Sequence, residues 1–322
     1  MKNITITNLE SNQRIDKYVR KYLNEAPLSF IYRLFRKKDI KVNGHWVKEN
    51  YIIQENDVVS IYVTDSQLEE FNKPKEALKK DLNYPIVYED ENILIINKPR
   101  GVLVHGDQNE KRITLANEVL NYLYFKGQYN PKDNKGFIPA PAHRLDRNTS
   151  GLIMFAKNLE SLQILEQLLK DKNNLEKHYL ALVVGKIDSP MEIDAPLIKN
   201  EKTGLVKVGN VKNGALSAKS IVVPYQNFKQ YSLVDVNLIT GRTHQIRVHL
   251  SYINHPIIGD SKYGNFTINR QFKEQYNFEN QFLHAYKIIF KNVSGKLSYL
   301  SNKTFEIKLN KQYLDLIKKK SK

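Results

Sequence analysis

The stretch of this chain best suited to chemistry is the run HRLDRNTSG at residues 143–151. In this run the carboxylate of Asp146 stands between Arg144 and Arg147. Nearby positive charge favours the charged form of a carboxyl group, so we expect Asp146 to be ionised. An ionised aspartate can act as a nucleophile, a general base or a metal ligand, and the surrounding residues decide which.

Net charge is the unusual feature of the composition. The 322 residues include 50 lysines and arginines against 34 aspartates and glutamates, a formal net charge of +16. This excess favours a polyanionic partner, because each neutralised phosphate releases counterions, with a solvated lysine-rich surface as the alternative. The 19 tyrosines favour nucleic acid as that partner, since bases stack on aromatic rings.

Other features of the sequence argue against competing chemistries. The chain has no cysteine, which excludes disulfides, thiol nucleophiles and cysteine-bound zinc. His244, His249 and His255 do not share one helix face at their spacing, so we expect no metal site. The polar N-terminus and the lack of an apolar run of ~20 residues predict a cytoplasmic protein without a membrane segment.

The elements around these residues predict three segments. Residues 12–64 contain two basic amphipathic helices, a hairpin turning at Asn43-Gly44 and a closing strand. Residues 65–82 are polar and charged, which is typical of a linker. Residues 83–317 contain many short strands and few helices, which predicts an α+β fold with a mixed, mainly antiparallel central sheet.

Five blocks of the third segment resemble, in order, the RluA family of RNA pseudouridine synthases. They are INKPRGVLVHG (96–106), HRLDRNTSGL (143–152), HYLALVVG (178–185), TGRTHQIRVHL with HPIIGDSKYG (240–250 and 255–264), and LHA (283–285). The resemblance implies the pseudouridine synthase fold and an isomerisation of uridine in RNA. In that reaction the glycosidic bond breaks and a carbon–carbon bond forms from C5 of the uracil to the ribose. Because the isomerisation is redox-neutral, we expect no small-molecule cofactor.

The resemblance also implies roles for three residues. Asp146 is the expected catalytic carboxylate, which attacks the base, attacks C1′ of the sugar or removes a ribose proton. Tyr179 is expected to stack on the target uracil; its hydroxyl is a candidate acceptor of the C5 proton, but a phenol with a pKa near ~10 is a poor base at neutral pH. Arg242 is expected to form the salt bridge that keeps Asp146 ionised and oriented.

Further residues are expected to bind the RNA. Arg144 is expected to fill the stack that the extruded target base leaves, since a planar guanidinium can replace a base. The segment after Arg242 fits either a strand or a helix capped by Thr243; we favour the helix, which places His244 and Arg247 on one face. For Arg247 a phosphate or structural contact is the preferred role.

The first segment resembles the S4 RNA-binding module. In this interpretation Arg33, Arg36, Lys37 and Lys41 contact phosphates. Lys38 departs from the family pattern, which has glycine before the acidic residue and the strand, so the turn geometry there is open. A small α+β appendage with a charged solvent face is the alternative.

Together these observations predict a monomeric enzyme that modifies uridines in 23S ribosomal RNA. Arg147 and the pair His105-Gly106 resemble the RluC-type branch of the family. The rival hypotheses are a catalytically idle RNA-binding or ribosome-assembly protein of the same fold, and a base-excision enzyme acting on DNA. The first retains no isomerase activity, and the second releases free uracil.

Overall fold

The computed structural model of the chain describes residues 1–71, 82, 84–106, 114–130, 137–171 and 173–320. These residues form two compact units: the first is drawn from residues 1–83, 116–140 and 156–162, and the second from residues 84–115, 141–155 and 163–322. The predicted boundaries treat each domain as one continuous segment. A chain that leaves a unit and later returns to it has no signature in local composition, so this interleaving is not readable from the sequence.

The N-terminal part of the first unit is a four-stranded sheet packed on two helices. Its elements are β1 (Lys2–Thr5), β2 (Gln13–Arg14), α1 (Ile15–Tyr22), α2 (Leu28–Arg36), β3 (Ile40–Val42), β4 (His45–Trp46), β5 (Ile52–Ile53), β6 (Val58–Ile61) and α3 (Asp65–Phe71). The sheet has the order β1-β6-β3-β4 and its strand pairs are antiparallel, while β2 and β5 form a separate pair. Strand β1 lies before the predicted start of this segment at residue 12. Side chains of α1 and α2 form one apolar core with the inward-facing residues of the sheet.

The turn after α2 settles the question that Lys38 raised. Lys38 adopts a left-handed backbone conformation, with φ of 61°. Its N–H donates to the carbonyl of Phe35 at 3.1 Å, and the N–H of Asp39 donates to the carbonyl of Leu34 at 2.9 Å. These two bonds form a Schellman motif, in which the left-handed position is usually glycine. The chain therefore keeps the glycine-type turn with a lysine in it.

The predicted hairpin is confirmed, whereas the predicted linker begins too early. Asn43 and Gly44 both have positive φ and connect β3 to β4 in a two-residue turn. Residues 65–71 are the helix α3, and the Phe71 ring packs 4.8 Å from the ring of Phe30. A few apolar side chains in a mainly polar segment are enough to anchor a short helix. Residues 72–81 of the predicted linker lie outside the described residues.

The remaining elements include the central sheet. The strands are β7 (Ile86–Glu89), β8 (Ile93–Lys98), β9 (Ala140–Pro141), β10 (Ser150–Ala156), β11 (Leu175–Val184), β12 (Met191–Asp194), β13 (Leu197–Lys199), β14 (Val206–Val208), β15 (Lys219–Asn227), β16 (Tyr231–Leu238), β17 (Leu283–Phe290) and β18 (Thr304–Glu306). The helices are α4 (Leu115–Phe125), α5 (Leu159–Lys170), α6 (Gln245–Tyr252), α7 (Phe266–Tyr276) and α8 (Lys311–Lys320).

The central sheet confirms the predicted fold class. Its main path is β12-β15-β16-β11-β17-β10-β8-β7, with β18 paired to β17. Strands β12, β15, β16, β11 and β17 pair antiparallel in that order, whereas β10 runs parallel to β17. Every residue of β10 is buried, which fits its place inside the sheet. No helix in the described part of the chain is long and apolar enough to cross a membrane.

Candidate active site

Asp146 lies in the loop between β9 and β10, and several contacts fix this loop. Leu145 is buried and anchors it to the core. The N–H of Thr149 donates to the carbonyl of Asp146 at 3.1 Å, which closes a turn. The N–H of Gly101 donates to the carbonyl of Arg147 at 2.9 Å. The carboxylate is therefore presented from a backbone that is held on both sides.

Gly151 allows the end of this loop to enter the sheet. Its φ is 117°, and a Cβ atom there would lie 2.1 Å from the carbonyl oxygen of Ala285. Only glycine fits such a close approach of two backbones. Next to it, the Oγ of Ser150 lies 2.8 Å from Nδ1 of His284. The HRLD run and the LHA block are thus joined by a parallel strand pair.

The ion-pair partner of Asp146 is Arg247. The Nη1 atom of Arg247 donates to Oδ2 of Asp146 at 2.8 Å. The expectation that Arg242 makes this contact is wrong: Arg242 is exposed and its Nε donates to the carbonyl of Ser217 at 3.0 Å. The cause is the helix, since Arg247 lies in the first turn of α6, whereas Arg242 lies in the preceding turn.

A second carboxylate holds Arg247 in place. Asp260 accepts two hydrogen bonds from Arg247, at 2.7 Å from Nε and 2.9 Å from Nη2. Asp260 also accepts the backbone N–H groups of Lys262 and Tyr263. Burial alone would raise the pKa of Asp260, but Arg247 and these N–H groups lower it. The guanidinium therefore bridges a buried carboxylate and the half-exposed carboxylate of Asp146.

His244 is the second polar side chain described beside Asp146. The predicted helix is confirmed as α6, and its N-cap is His244 rather than Thr243, with φ of 54°. The N–H of Val206 donates to the hydroxyl of Tyr263 at 2.9 Å, and this hydroxyl lies 2.8 Å from Nδ1 of His244. The other ring nitrogen of His244, Nε2, lies 3.9 Å from Oδ2 of Asp146. Burial lowers the pKa of His244, so the ring is neutral at pH ~7.

Tyr179 lies in β11, at a register shift in the pairing of β11 with β17. Its ring is almost fully buried and lines the same cavity as Asp146. Burial raises the pKa of Tyr179 well above its ordinary value, and the charge of Asp146 raises it further. The hydroxyl is therefore a poor proton acceptor, which favours a stacking role over a role as a base.

Two lysines near the site escaped the sequence analysis. Lys98 has no exposed surface, and its Nζ donates to the carbonyls of Pro99, Val102 and Arg147 at 2.9–3.1 Å. Burial lowers the pKa of Lys98 to about 7, whereas the three carbonyls and the nearby Asp146 favour its protonated form. Lys177 lines the cavity, and burial lowers its pKa to about 8. The signal for Lys98 is a cation at the last position of β8, two residues after the apolar run Ile93–Ile96.

One open cavity of about 1110 Å³ collects most of the predicted site residues. They are Arg144, Asp146, Tyr179, Arg242, His244 and Arg247. Arg144 is exposed, and the cavity wall also includes Lys170, Lys177 and Lys199, so the cavity is electropositive. The four other predicted RNA-binding residues lie in the first unit; they are Arg33, Arg36, Lys37 and Lys41. Within the described ranges there is no group of three or more histidine, aspartate or glutamate side chains placed to hold a metal ion.

Comparisons with known proteins identify the family of this chain. Residues 92–252 match the RNA pseudouridylate synthase family. The chain belongs to the RluA family of RNA pseudouridine synthases, which are isomerases.

Within that family the chain is similar to enzymes of the RluC type. It is 36% identical over 312 residues to the ribosomal large subunit pseudouridine synthase C of Vibrio parahaemolyticus, covering 96% of this chain and 94% of the relative. It is 34% identical over 295 residues to the protein of that name in Escherichia coli, covering 90% and 88%. The solved structure of human RNA pseudouridylate synthase domain containing 4 shares the fold, with a TM-score of 0.56, 23% identity and coverage of 71% and 90%.

Proposed function

We propose that this chain isomerises specific uridines of 23S ribosomal RNA to pseudouridine, with Asp146 as the catalytic carboxylate. The observation that carries the proposal is the ion pair between Asp146 and Arg247 in a cavity that Tyr179 also lines. A charge-paired carboxylate beside an aromatic ring suits a reaction on a planar base. The names of the relatives support the ribosomal large subunit as the source of the RNA.

The reaction needs a carboxylate that stays ionised while the uracil is detached and turned. The bond between N1 and C1′ breaks, the bond between C5 and C1′ forms, the C5 proton leaves and N1 gains a proton, so the product is an isomer of the substrate. Asp146 has three alternative roles in this reaction: it attacks the base, attacks C1′ or removes a ribose proton. In all three routes the carboxylate acts from the same place in the cavity. Arg247 stabilises the charge of Asp146, and Asp260 keeps Arg247 oriented.

The base must leave its stack before it can reach Asp146. Extrusion of a base from a folded RNA costs a few kcal/mol. Arg144, exposed at the cavity and two residues from Asp146, is the side chain we assign to the vacated position. Tyr179 receives the face of the extruded uracil, while Arg242 and His244 contact the phosphates and sugars around it.

The first unit supplies a second set of contacts to the RNA. Arg33, Arg36 and Lys37 are exposed near the C-terminal end of α2, and Lys41 is half-exposed on β3. Contacts of this kind fix the orientation of an RNA without reading its sequence. We assign these four residues to phosphates of the same RNA, in the manner of an S4 domain.

Tritium release tests the proposal directly. Ribosomal RNA that carries 5-tritiated uridine loses tritium when C5 forms its new bond. The parent protein should release tritium from 23S ribosomal RNA, and Asp146→Asn, which keeps the size of the side chain but not its charge, should release none above background.

The assay outcomes distinguish the proposed function from its two rivals. An idle RNA-binding protein gives no tritium release with either variant, and an excision enzyme gives free uracil rather than pseudouridine. Arg270→Gln, an exposed change on α7, should retain the activity of the parent. Equal release by the parent and by Asp146→Asn would refute the role of Asp146.

A further inference from the structure

Two exposed aromatic rings flank Lys41 on the sheet of the first unit. Trp46 is 44% exposed and Tyr62 is 40% exposed. Lys41 is the cross-strand partner of Trp46, and its Nζ lies 5.1 Å from the centre of the Tyr62 ring. Cross-strand partners share one face of a sheet, so Trp46 and Lys41 lie on the same face, away from the buried Ile40 and Val42. Tyr62 follows β6 two residues after Ser60, the other cross-strand partner of Lys41, and its ring borders the lysine Nζ. We call Trp46 and Tyr62 the ring pair.

The indole of Trp46 is held at the end of α2. Its Nε1–H donates to the carbonyl of Phe35 at 3.4 Å. The Nζ of Lys38, in the left-handed turn after that helix, lies 5.3 Å from the centre of the indole ring. The exposed cations Arg36 and Lys37 lie between Phe35 and Lys38 in the sequence. Each ring is therefore placed beside at least one flexible lysine.

We propose that the ring pair stacks unpaired nucleotides of the RNA, while Lys38 and Lys41 contact the neighbouring phosphates. This inference rests on the proposed RNA-binding role of the first unit and names its ligand as single-stranded RNA. Aromatic rings alternating with cations are the features that bind single strands, since every base has a face that can stack. A lysine that covers a ring in the free protein can move to a phosphate when a base takes its place.

The spacing of the rings favours a single strand over a duplex. Strands β4 and β6 lie on either side of β3, so their backbones are about 10 Å apart at ~4.8 Å per strand, and Tyr62 directly follows β6. Neighbouring bases stacked in an RNA duplex lie much closer together than this, and their faces are covered by one another. Two splayed nucleotides of a loop or a single-stranded end can instead each place a base on one ring. An acidic protein segment would use the lysines but not the ring faces.

Trp46 is the only tryptophan of the chain, so its fluorescence reports on this site alone. The full-length protein is titrated with a single-stranded oligouridine of ~10 nucleotides, within the range of single-strand site sizes. We expect saturable quenching of the indole emission. A fully paired RNA of the same length and a polyglutamate of the same charge should bind without this quenching. Unchanged emission at saturating oligouridine, or equal quenching by polyglutamate, would overturn the proposal.

Substitutions test the second ring with a matched control. Tyr62→Ala should weaken oligouridine binding about tenfold, the loss expected for one stacked base. Trp46→Ala should cause a similar loss, measured by the anisotropy of a labelled oligouridine. Tyr225→Ala removes an exposed ring from β15 in the second unit and should bind like the parent. If Tyr62→Ala binds as tightly as Tyr225→Ala, the ring pair is not a binding site.

The two proposals can fail separately. Asp146→Asn should keep the quenching of Trp46, because the carboxylate is not part of the ring pair. Quenching without tritium release from the parent would refute the catalytic proposal alone. Tritium release by the parent without quenching would refute the ring pair alone.

Discussion

The charges around Asp146 and those on the first unit differ in how they are held. Arg247 is nearly fully buried and makes three hydrogen bonds to two carboxylates. Lys38 and Lys41 lie over aromatic rings instead, on flexible side chains near the surface. Buried, paired charges have one position and fix geometry, whereas exposed ones adapt and contribute mainly long-range attraction. Chemistry and RNA attraction are thus assigned to different kinds of cation.

The strongest test of this contrast is to remove Arg247. Arg247→Met leaves Asp260 buried without its ion-pair partner, and we expect the free energy of unfolding to fall by about 3–5 kcal/mol. Tritium release should also be lost, because Asp146 loses its ion pair. Denaturant titration and the release assay measure the two effects.

Two further variants separate the effect of Arg247 on stability from its effect on catalysis. Arg242→Met changes an exposed arginine of the same sequence block and should alter stability by no more than ~0.5 kcal/mol. Arg247→Met combined with Asp260→Leu removes the stranded carboxylate and should recover much of the stability but no activity. Recovery of activity in that double variant would show that the ion pair is not needed for the reaction.

A pH series extends the contrast to titration. Burial lowers the pKa of His284 from its ordinary value of ~6.5 to about 4. Between these values the unfolded chain binds a proton that the folded chain does not, so the folded state loses stability as the pH falls. Above pH ~6.5 this histidine does not reduce the free energy of unfolding. Near pH 4 the free energy of unfolding should be about 3 kcal/mol lower because of it.

Variants isolate this histidine from other acid effects. His284→Asn should show a shallower loss of unfolding free energy between pH 7 and pH 4, by denaturant titration at each pH. Lys37→Gln, an exposed change in the first unit that leaves His284 in place, should keep the steep dependence of the parent. A parent no steeper than His284→Asn would refute the burial effect on His284.

The sequence predicted those parts of the molecule that depend on local patterns. The turn at Asn43-Gly44 requires residues that accept positive φ, and that requirement is visible in two letters. Helix α5 begins after Asn158, whose Oδ1 accepts the N–H of Ser161 at 3.0 Å, a cap formed by residues only three apart. The mixed sheet followed from the density of short strands. The HRLD run predicted that the residues around Asp146 belong to the site, and their loop lines the cavity.

Contacts between distant residues were not predictable in the same way. Arg242 and Arg247 stand in one block, and only the start of α6 at Gln245 decides which of them reaches Asp146. Asp260, thirteen residues beyond Arg247 in the sequence, is paired with it through the fold. The left-handed conformation of His244 is a backbone state that its residue type tolerates but does not specify.

Arg144 belongs to neither kind of cation, because it is exposed yet lies in the loop that carries Asp146. If it fills the stack left by the target base, Arg144→Ala should slow turnover on a folded fragment of 23S ribosomal RNA about tenfold. A flexible single-stranded substrate, whose base needs no extrusion, should be affected far less. Single-turnover tritium release on both substrates gives the comparison, and equal slowing on both would contradict an extrusion role.

The smallest effects are expected from the exposed cations of the first unit. Replacing Arg33, Arg36 and Lys37 together with glutamine removes three charges from the C-terminal end of α2. Each lost phosphate contact should reduce the slope of log affinity against log salt by about 0.7–0.9. The affinity loss should therefore be clear at low salt and small at high salt, without a change in single-turnover release at saturating RNA. Fluorescence anisotropy at several salt concentrations measures the slope.

Charge removed elsewhere supplies the decisive control. Lys229, Arg270 and Lys273 are exposed residues of the second unit, and their replacement by glutamine changes the net charge by the same amount. Bulk attraction between a chain of formal charge +16 and RNA would respond equally to both triple variants. Specific phosphate contacts by the end of α2 would lower the salt slope only in the first. Equal slopes for the two variants would mean that the first unit holds RNA by net charge and not through these three residues.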